Sequence, residues 1–353
     1  MEFASDNTAP VAPEIMAALT RANEGYAPSY GADALMGEVR ARIREVFEAP
    51  EAEVGLVATG SAANSLSLAT LVQPWQTVFC HRNAHVQEDE CGAPEFFTAG
   101  AKLTLVDGDH GRIAPENLAA ALALVGAGSV HNVQKGALTL TNATEAGTSY
   151  RPADVARLAA MAREAGIPVH MDGARLANAL AFTGASPAEM TWRAGVDILS
   201  LGGTKNGLMG VEAVVLFDPA RAWEFELRRK RGAHLFSKHR YLSAQMLAYL
   251  ENGLWLRLAR QANAAARRLS EGIAAMPAAR LDHPTEANEV FAALPRAAHR
   301  HAMTAGAHYH LWPTGESLHG PGEAPVSCRL VASWCTTDAD VDRLLSFLRG
   351  AAG

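Results

Sequence analysis

The sequence predicts a doubly wound α/β domain built on a mostly parallel sheet of seven strands, followed by a smaller α+β domain. Three observations carry that prediction. Seven short runs are apolar on nearly every residue and are bounded by Gly, Pro, Asn or Asp, which is how strands covered on both faces read. Helical stretches lie between them, so successive strands are joined by crossovers. After about residue 240 the texture changes to a long Ala/Leu/Arg-rich run and then to three separated strands.

Taken in order, the strands of the large domain are expected at Gly55–Ala58, Thr77–Cys80, Lys102–Val106, Ala137–Thr141, Pro168–Met171, Val196–Ser200 and Glu212–Phe217. Pro152–Gly166 typifies the helices between them, with proline near its start, glycine past its end, and Val155, Leu158, Ala159 and Ala162 on one face. Leu242 to about Ile273 reads as one long linking helix. Strands then follow at Glu289–Leu294, Ala307–Trp312 and Val326–Ala332. A last helix runs through Arg349, capped by Thr336 or Thr337, with Asp338 and Asp340 in the first turn where the helix dipole favours acids. These runs divide the chain into a large domain over 21–240 and a linking helix with a small domain over 241–353.

Composition narrows the function classes. The chain has 353 residues, 49% of them hydrophobic, and a net charge of −6, which gives no basic footprint for a nucleic acid. The one basic cluster is Arg228-Arg-Lys-Arg231. No apolar run approaches the roughly 20 residues that span a bilayer, and the N-terminus has no signal-peptide pattern, so the expected location is the cytoplasm, with no membrane partner. Cys80, Cys91, Cys328 and Cys335 lack metal-binding or framework spacing and read as free thiols. Lysine is rare: only Lys102, Lys135, Lys205, Lys230 and Lys238 are present.

Ligands of open parallel sheets bind beyond the carboxyl ends of the strands, and three loops there carry chemistry. Ala58-Thr-Gly-Ser-Ala-Ala-Asn64 runs from a strand straight into a helix, so backbone N–H groups, a hydroxyl and the helix dipole converge on an anion site; a plain helix cap reads the same way. Val169-His-Met-Asp-Gly-Ala-Arg175 places Asp172 and Arg175 at the sheet's rim, as a functional pair or a structural ion pair. Ser200-Leu-Gly-Gly-Thr-Lys-Asn-Gly207 holds the one lysine found in a glycine loop after a strand. An anion loop, a carboxylate and an amine in that order suit pyridoxal phosphate: Lys205 forms the Schiff base, Asp172 holds the pyridine nitrogen protonated, and the loop takes the phosphate.

At these residues the chain resembles the low-specificity L-threonine aldolases, pyridoxal-phosphate enzymes of fold type I, the aspartate-aminotransferase-like fold. His170-Met-Asp-Gly-Ala-Arg-Leu-Ala-Asn178 is similar to their signature, and the Gly-Gly-Thr-Lys-Asn-Gly loop resembles that of a bacterial branch. The resemblance runs from Ser5-Asp-Asn-Thr8 to Cys328-Arg-Leu-Val331. It implies that Lys205 carries the cofactor, that Asp172, Gly60, Ser61, His85 and Arg175 bind it, and that Arg231 and Lys238 reach its phosphate from a neighbouring subunit. It further implies that Ser5, Arg175 and Arg329 hold the substrate carboxylate, with residues 1–20 contributing to the active site. His85 would stack on the cofactor ring and accept the β-hydroxyl proton, His131 would lie near that hydroxyl, and Tyr30 at a subunit boundary. Arg329 is also suggested by its own strand, where a charge among apolar neighbours needs an anion.

The activity so implied is retro-aldol cleavage of L-threonine or L-allo-threonine to glycine and acetaldehyde, in a homo-oligomer, a tetramer formed as a dimer of dimers, with shared active sites. Two departures, the lysine loop and Glu90-Cys-Gly-Ala-Pro94, leave the preferred aldehyde open. The alternatives are a phenylserine aldolase, a β-eliminating lyase on the same fold, and a zinc hydrolase using His81 and His85 with His299, His301, His308 and His310. No metal is expected in the favoured reading, since no Glu follows His81 as a zinc helix requires.

Overall fold

The structure, a computed structural model, describes residues 1–126 and 128–350; the last three residues of the expected small domain lie outside the described residues. Seven strands form the large sheet: β1 Glu53–Val57, β2 Gln76–His81, β3 Lys102–Val106, β4 Gln134–Thr141, β5 Val169–Gly173, β6 Ile198–Leu201 and β7 Glu212–Leu216. Their order is β1-β7-β6-β5-β4-β2-β3. β2, β3, β4, β5 and β6 run parallel, and β7 is antiparallel to both of its neighbours. Helices cover both faces, so β5, β6 and β7 are buried at every residue.

Every expected strand of this sheet is present, with shifted ends. β4 starts at Gln134 rather than Ala137, because the polar Gln134 and Lys135 still pair with Gln76 and Thr77 of β2. Residues in a parallel sheet can join the ladder through backbone alone.

The expected linking helix is broken. Helices Arg240–Leu250 and Leu254–Ala274 are separated at Glu251–Gly253, where Asn252 (φ 51°) and Gly253 (φ 65°) are left-handed. Asn and Gly are the residues that tolerate that region, so the break is written in the Asn-Gly pair that the apolar periodicity overshadowed. The domain division at 240/241 also falls too early. Leu242, Met246, Tyr249, Trp255, Leu258 and Ala259 belong to the core of the large domain, while Ala265, Leu269 and Ile273 enter that of the small one. The second helix therefore serves both.

The small domain holds a four-stranded antiparallel sheet: β8 Arg280–Leu281, β9 Glu289–Pro295, β10 His310–Leu311 and β11 Pro325–Val331, in the order β10-β11-β9-β8. β8 was too short to stand out in the sequence. The run at Ala307–Trp312 yields only β10, since His308 instead bridges Glu2. Thr337 caps the last helix, Asp338–Arg349, in a reciprocal capping box with Asp340.

The N-terminal segment straps the two domains. Phe3 lies in the small-domain core, its N–H donates to His308 O (2.8 Å) and its carbonyl accepts from Val331 N (2.8 Å). Ala12 N donates to Gly207 O (2.8 Å) in the large domain. No helix among the described residues is long and apolar enough to cross a membrane.

Candidate active site

The three chemistry-bearing loops meet at the carboxyl ends of β1, β5 and β6. Residues Asn7, Thr59, Gly60, Ser61, Asn64, His85, Asp172, Thr204, Lys205 and Glu212 line one cavity of about 250 Å³. The close fit of the loops is a steric demand: a Cβ on Gly202 would lie 2.2 Å from the carbonyl oxygen of Ala174. Only glycine lets the lysine loop pass that close to the loop carrying Asp172.

At the anion loop, Thr59 caps the helix Gly60–Leu71, its hydroxyl accepting from Ala62 N (3.2 Å), while Thr59 O accepts from Ala63 N (3.1 Å). The amides of Gly60 and Ser61 have no partner within the helix, and both residues line the cavity. The space beside Gly60 is open, with nothing within 4 Å of a Cβ built there.

Asp172 ends β5 and is 2% exposed. Its Oδ1 accepts from Ala174 N (3.0 Å) and its Oδ2 from Asn64 Nδ2 (2.9 Å). The same amide nitrogen donates to Glu90 Oε1 at 2.9 Å, and Glu90 Oε1 is 2.9 Å from His85 Nδ1. A buried chain therefore runs Asp172, Asn64, Glu90, His85. Burial opposes the charge on His85, but the bond to Glu90, with Asp172 and Glu145 nearby, holds its pKa above the usual histidine value. Burial raises Glu90, with His85 and Asn64 pulling it back.

His170, two residues earlier on β5, is not a reacting group. It bonds Thr139 Oγ1 (2.8 Å) and Ser200 Oγ (2.9 Å), tying β4, β5 and β6 together. Burial pushes it down to about 4, so it is neutral.

Arg175 was expected to grip the substrate and help bind the cofactor. Its guanidinium is already committed, to Asp6 by two bonds (2.8 and 3.0 Å) and to Glu289 at 3.1 Å. A buried guanidinium needs an anion in the resting protein, and here the protein supplies two. Asp6 is further held by Asn288 Nδ2 (3.0 Å). Burial works against Asp6 ionising, yet Arg175 keeps its pKa below the usual carboxylate range. Arg329 is different: its Nε is buried without a partner, and its guanidinium lies 4.9 Å from the Trp312 ring centre. Its Nη2 makes a 3.4 Å contact to Ala4 O, which brings it beside Ser5. Ser5 Oγ accepts from Asn7 N (3.1 Å).

His131 is not brought to this site. It is exposed on the loop before β4, whose opposite end, Thr141, pairs with Asp172, so the length of the strand separates them. Arg231 and Lys238 are exposed and line no part of their own chain's cavity. Tyr30 is also exposed, its N–H bonded to Ser237 O (3.1 Å) and its ring 4.6 Å from Lys230 Nζ. Within the basic cluster, Arg228 pairs with Glu224, and Arg229 is buried against Leu56 O and Glu226. The zinc alternative loses its ligands: His81 ends β2 and bonds Gly108 O, His85 starts another element, and His299 is buried against Tyr309 and Val326 O.

Sequence reasoning missed Asn64, Glu90 as a partner of His85, Asp6, Asn206 and Glu212. Asn206 fastens the lysine turn, donating to Tyr249 Oη (2.8 Å) and Trp255 O (2.9 Å). The available signal was Asn64 as the one amide side chain in a helix otherwise made of Gly, Ala, Leu, Ser and Thr.

This fold with an amine, a fixed carboxylate and an anion loop in one cavity defines a fold type I enzyme of the pyridoxal-phosphate class. A family model for beta-eliminating lyases matches residues 2–310. The chain belongs to that family and, within it, to the low-specificity L-threonine aldolases. It is 40% identical over 348 residues to a low specificity L-threonine aldolase of Pseudomonas aeruginosa (99% of this chain, 96% of the relative). It is 39% identical to one from another Pseudomonas strain (99% and 97% covered). In fold it matches a threonine aldolase of Leishmania major, with a TM-score of 0.91 at 24% identity and 99% of each chain covered. A serine palmitoyltransferase of Sphingomonas wittichii follows at a TM-score of 0.72 and 16% identity, covering 99% of this chain and 86% of that one.

Proposed function

We propose that the protein is a pyridoxal-phosphate-dependent aldolase that cleaves L-threonine, L-allo-threonine and related β-hydroxy-α-amino acids to glycine and an aldehyde. The observation that carries this reading is the buried chain from Asp172 to His85, set across one cavity from Lys205. The Pseudomonas relatives named for that activity support it.

The residues present fit the cofactor. Lys205 offers an amine, the open space at Gly60 and the amides of Gly60 and Ser61 suit a phosphate, and Asp172 is fixed in place by Asn64 Nδ2 and Ala174 N. When bound, the cofactor supplies an electron sink for the pair released at the substrate's Cα.

The chain's own groups do the rest. Lys205 would hold the cofactor through its aldehyde, and Asp172 would keep a proton on the ring nitrogen. With Nδ1 of His85 turned to Glu90, Nε2 is left to accept the β-hydroxyl proton, help worth about 10²–10⁴ in rate. Arg329 and Ser5 hold the substrate carboxylate. Arg175 contributes by holding Asp6, and through it the segment carrying Ser5.

In this reading a second copy of the chain brings Arg231 and Lys238 to the phosphate, with Tyr30 at the boundary and a tetramer built from two such pairs. The exposed Tyr30, Phe236 and Leu227 close to these residues support a covered surface there. The test is incubation with L-threonine, L-allo-threonine, D-threonine and phenylserine. Equal amounts of glycine and aldehyde from the L-isomers are expected; a 2-oxo acid with ammonia instead would establish elimination. Lys238→Ala should retain pyridoxal phosphate less tightly, and unaffected retention would count against the shared site.

A further inference from the structure

Glu212 is the charged residue lining the cavity to which the proposed reaction gives no part. It stands on β7, where Ala213 to Leu216 are apolar and buried, and it is itself 7% exposed. A carboxyl group in such a strand is costly unless something holds it. Its Oε2 accepts the N–H of Gly203 at 2.5 Å, and Thr204 follows directly in the chain. These two residues immediately precede Lys205 and open the turn Thr204–Asn206. From the other side Tyr249 Oη donates to Gly202 O (3.2 Å) and receives Asn206 Nδ2 (2.8 Å). The lysine turn is thus clamped between β7 and the helix Arg240–Leu250.

Resting on the cofactor reading above, we propose that Glu212 is a positioning residue for Lys205. Its carboxylate caps the lysine-bearing turn through the amide of Gly203 and sets a negative charge facing the amine. A neutral acceptor would satisfy that amide; only an acid adds the charge. The other titratable groups turned toward it are Lys205 on the turn and Tyr249 from the flanking helix, with Asp172 and His85 lining the same cavity. Burial lifts Glu212 to about 7, against the pull of Thr204, Gly203 and Lys205, so its charge is present above neutral pH and lost below it.

The test uses Glu212→Gln and Glu212→Ala, each stripped of cofactor and titrated with pyridoxal phosphate across a pH series while visible absorbance is followed, with Lys205→Ala as the blank. Glu212→Gln keeps an acceptor, so it should bind the cofactor nearly as well as the unsubstituted protein. Without the facing charge, its chromophore should change with pH at a lower midpoint. Glu212→Ala leaves the Gly203 amide unpaired and should bind about ten-fold more weakly. A Gln variant with the unsubstituted midpoint, or an Ala variant that folds and binds normally, overturns the proposal. If circular dichroism finds the Ala variant unfolded, the Gln midpoint decides. Absence of any chromophore in the unsubstituted protein would refute the cofactor reading and this proposal with it.

Discussion

Replacing Asn64 with alanine should damage the site more than its position inside a helix suggests. One amide nitrogen serves two buried carboxylates, Asp172 and Glu90, each at 2.9 Å. Hydrogen bonds to charged groups are worth about 1.5–3 kcal/mol each, and an acceptor left without a donor costs about 1–3 kcal/mol. Each carboxylate keeps one other partner, Ala174 N on the second oxygen of Asp172 and His85 on the same oxygen of Glu90, so the lower ends apply. The expected loss is about 2–4 kcal/mol in stability of the cofactor-free protein, read from the midpoint of denaturant unfolding. Asn64→Asp controls for volume: it fills the same space with a third carboxyl group and should be at least as harmful. A shift for Asn64→Ala within about 0.5 kcal/mol, the range of ordinary surface changes, would refute the reasoning. So would full recovery in Asn64→Asp.

Three further outcomes follow from the same geometry. Glu90→Gln removes the partner that raises His85, so the acid limb of the kcat/KM profile should move to lower pH; because neutral His85 is the base, activity is lost as pH falls through its raised value, and an unmoved limb would free His85 of that role. Asp6→Ala strips Arg175 of its bidentate partner and should destabilise the protein by about 3–5 kcal/mol in denaturant unfolding. Since Asp6 has a depressed pKa, the stability it contributes is present above the ordinary carboxylate range and lost as pH falls through the depressed value. Arg329→Ala should raise KM for L-threonine far more than it lowers kcat, whereas equal changes would mean that the arginine acts in the transition state.

Much of this site was legible because its parts are local. A glycine loop with a rare lysine, an aspartate closing an apolar strand and a Thr-Gly-Ser helix start can each be read within a few residues, and the sheet brings them together. What stayed hidden depends on partners far along the chain. Arg175 reads as a free guanidinium until Asp6 and Glu289 are folded against it. Glu212 reads as the polar first residue of a strand, and its task emerges only beside Gly203. His131 rests on the resemblance alone, and within its own chain it lies at the end of β4 away from Asp172.

The N-terminal strap has a consequence for how the chain folds. Phe3 is placed by backbone bonds to His308 and Val331, so its seat is made of chain that is synthesised long after it. Contacts of such separation close late, after the loop between them has lost its freedom. Ser5 and Asp6 lie just beyond that seat, so they are held in place only after Val331 has been made. A nascent large domain would have its sheet and its lysine turn while Ser5 and Asp6 were still unanchored.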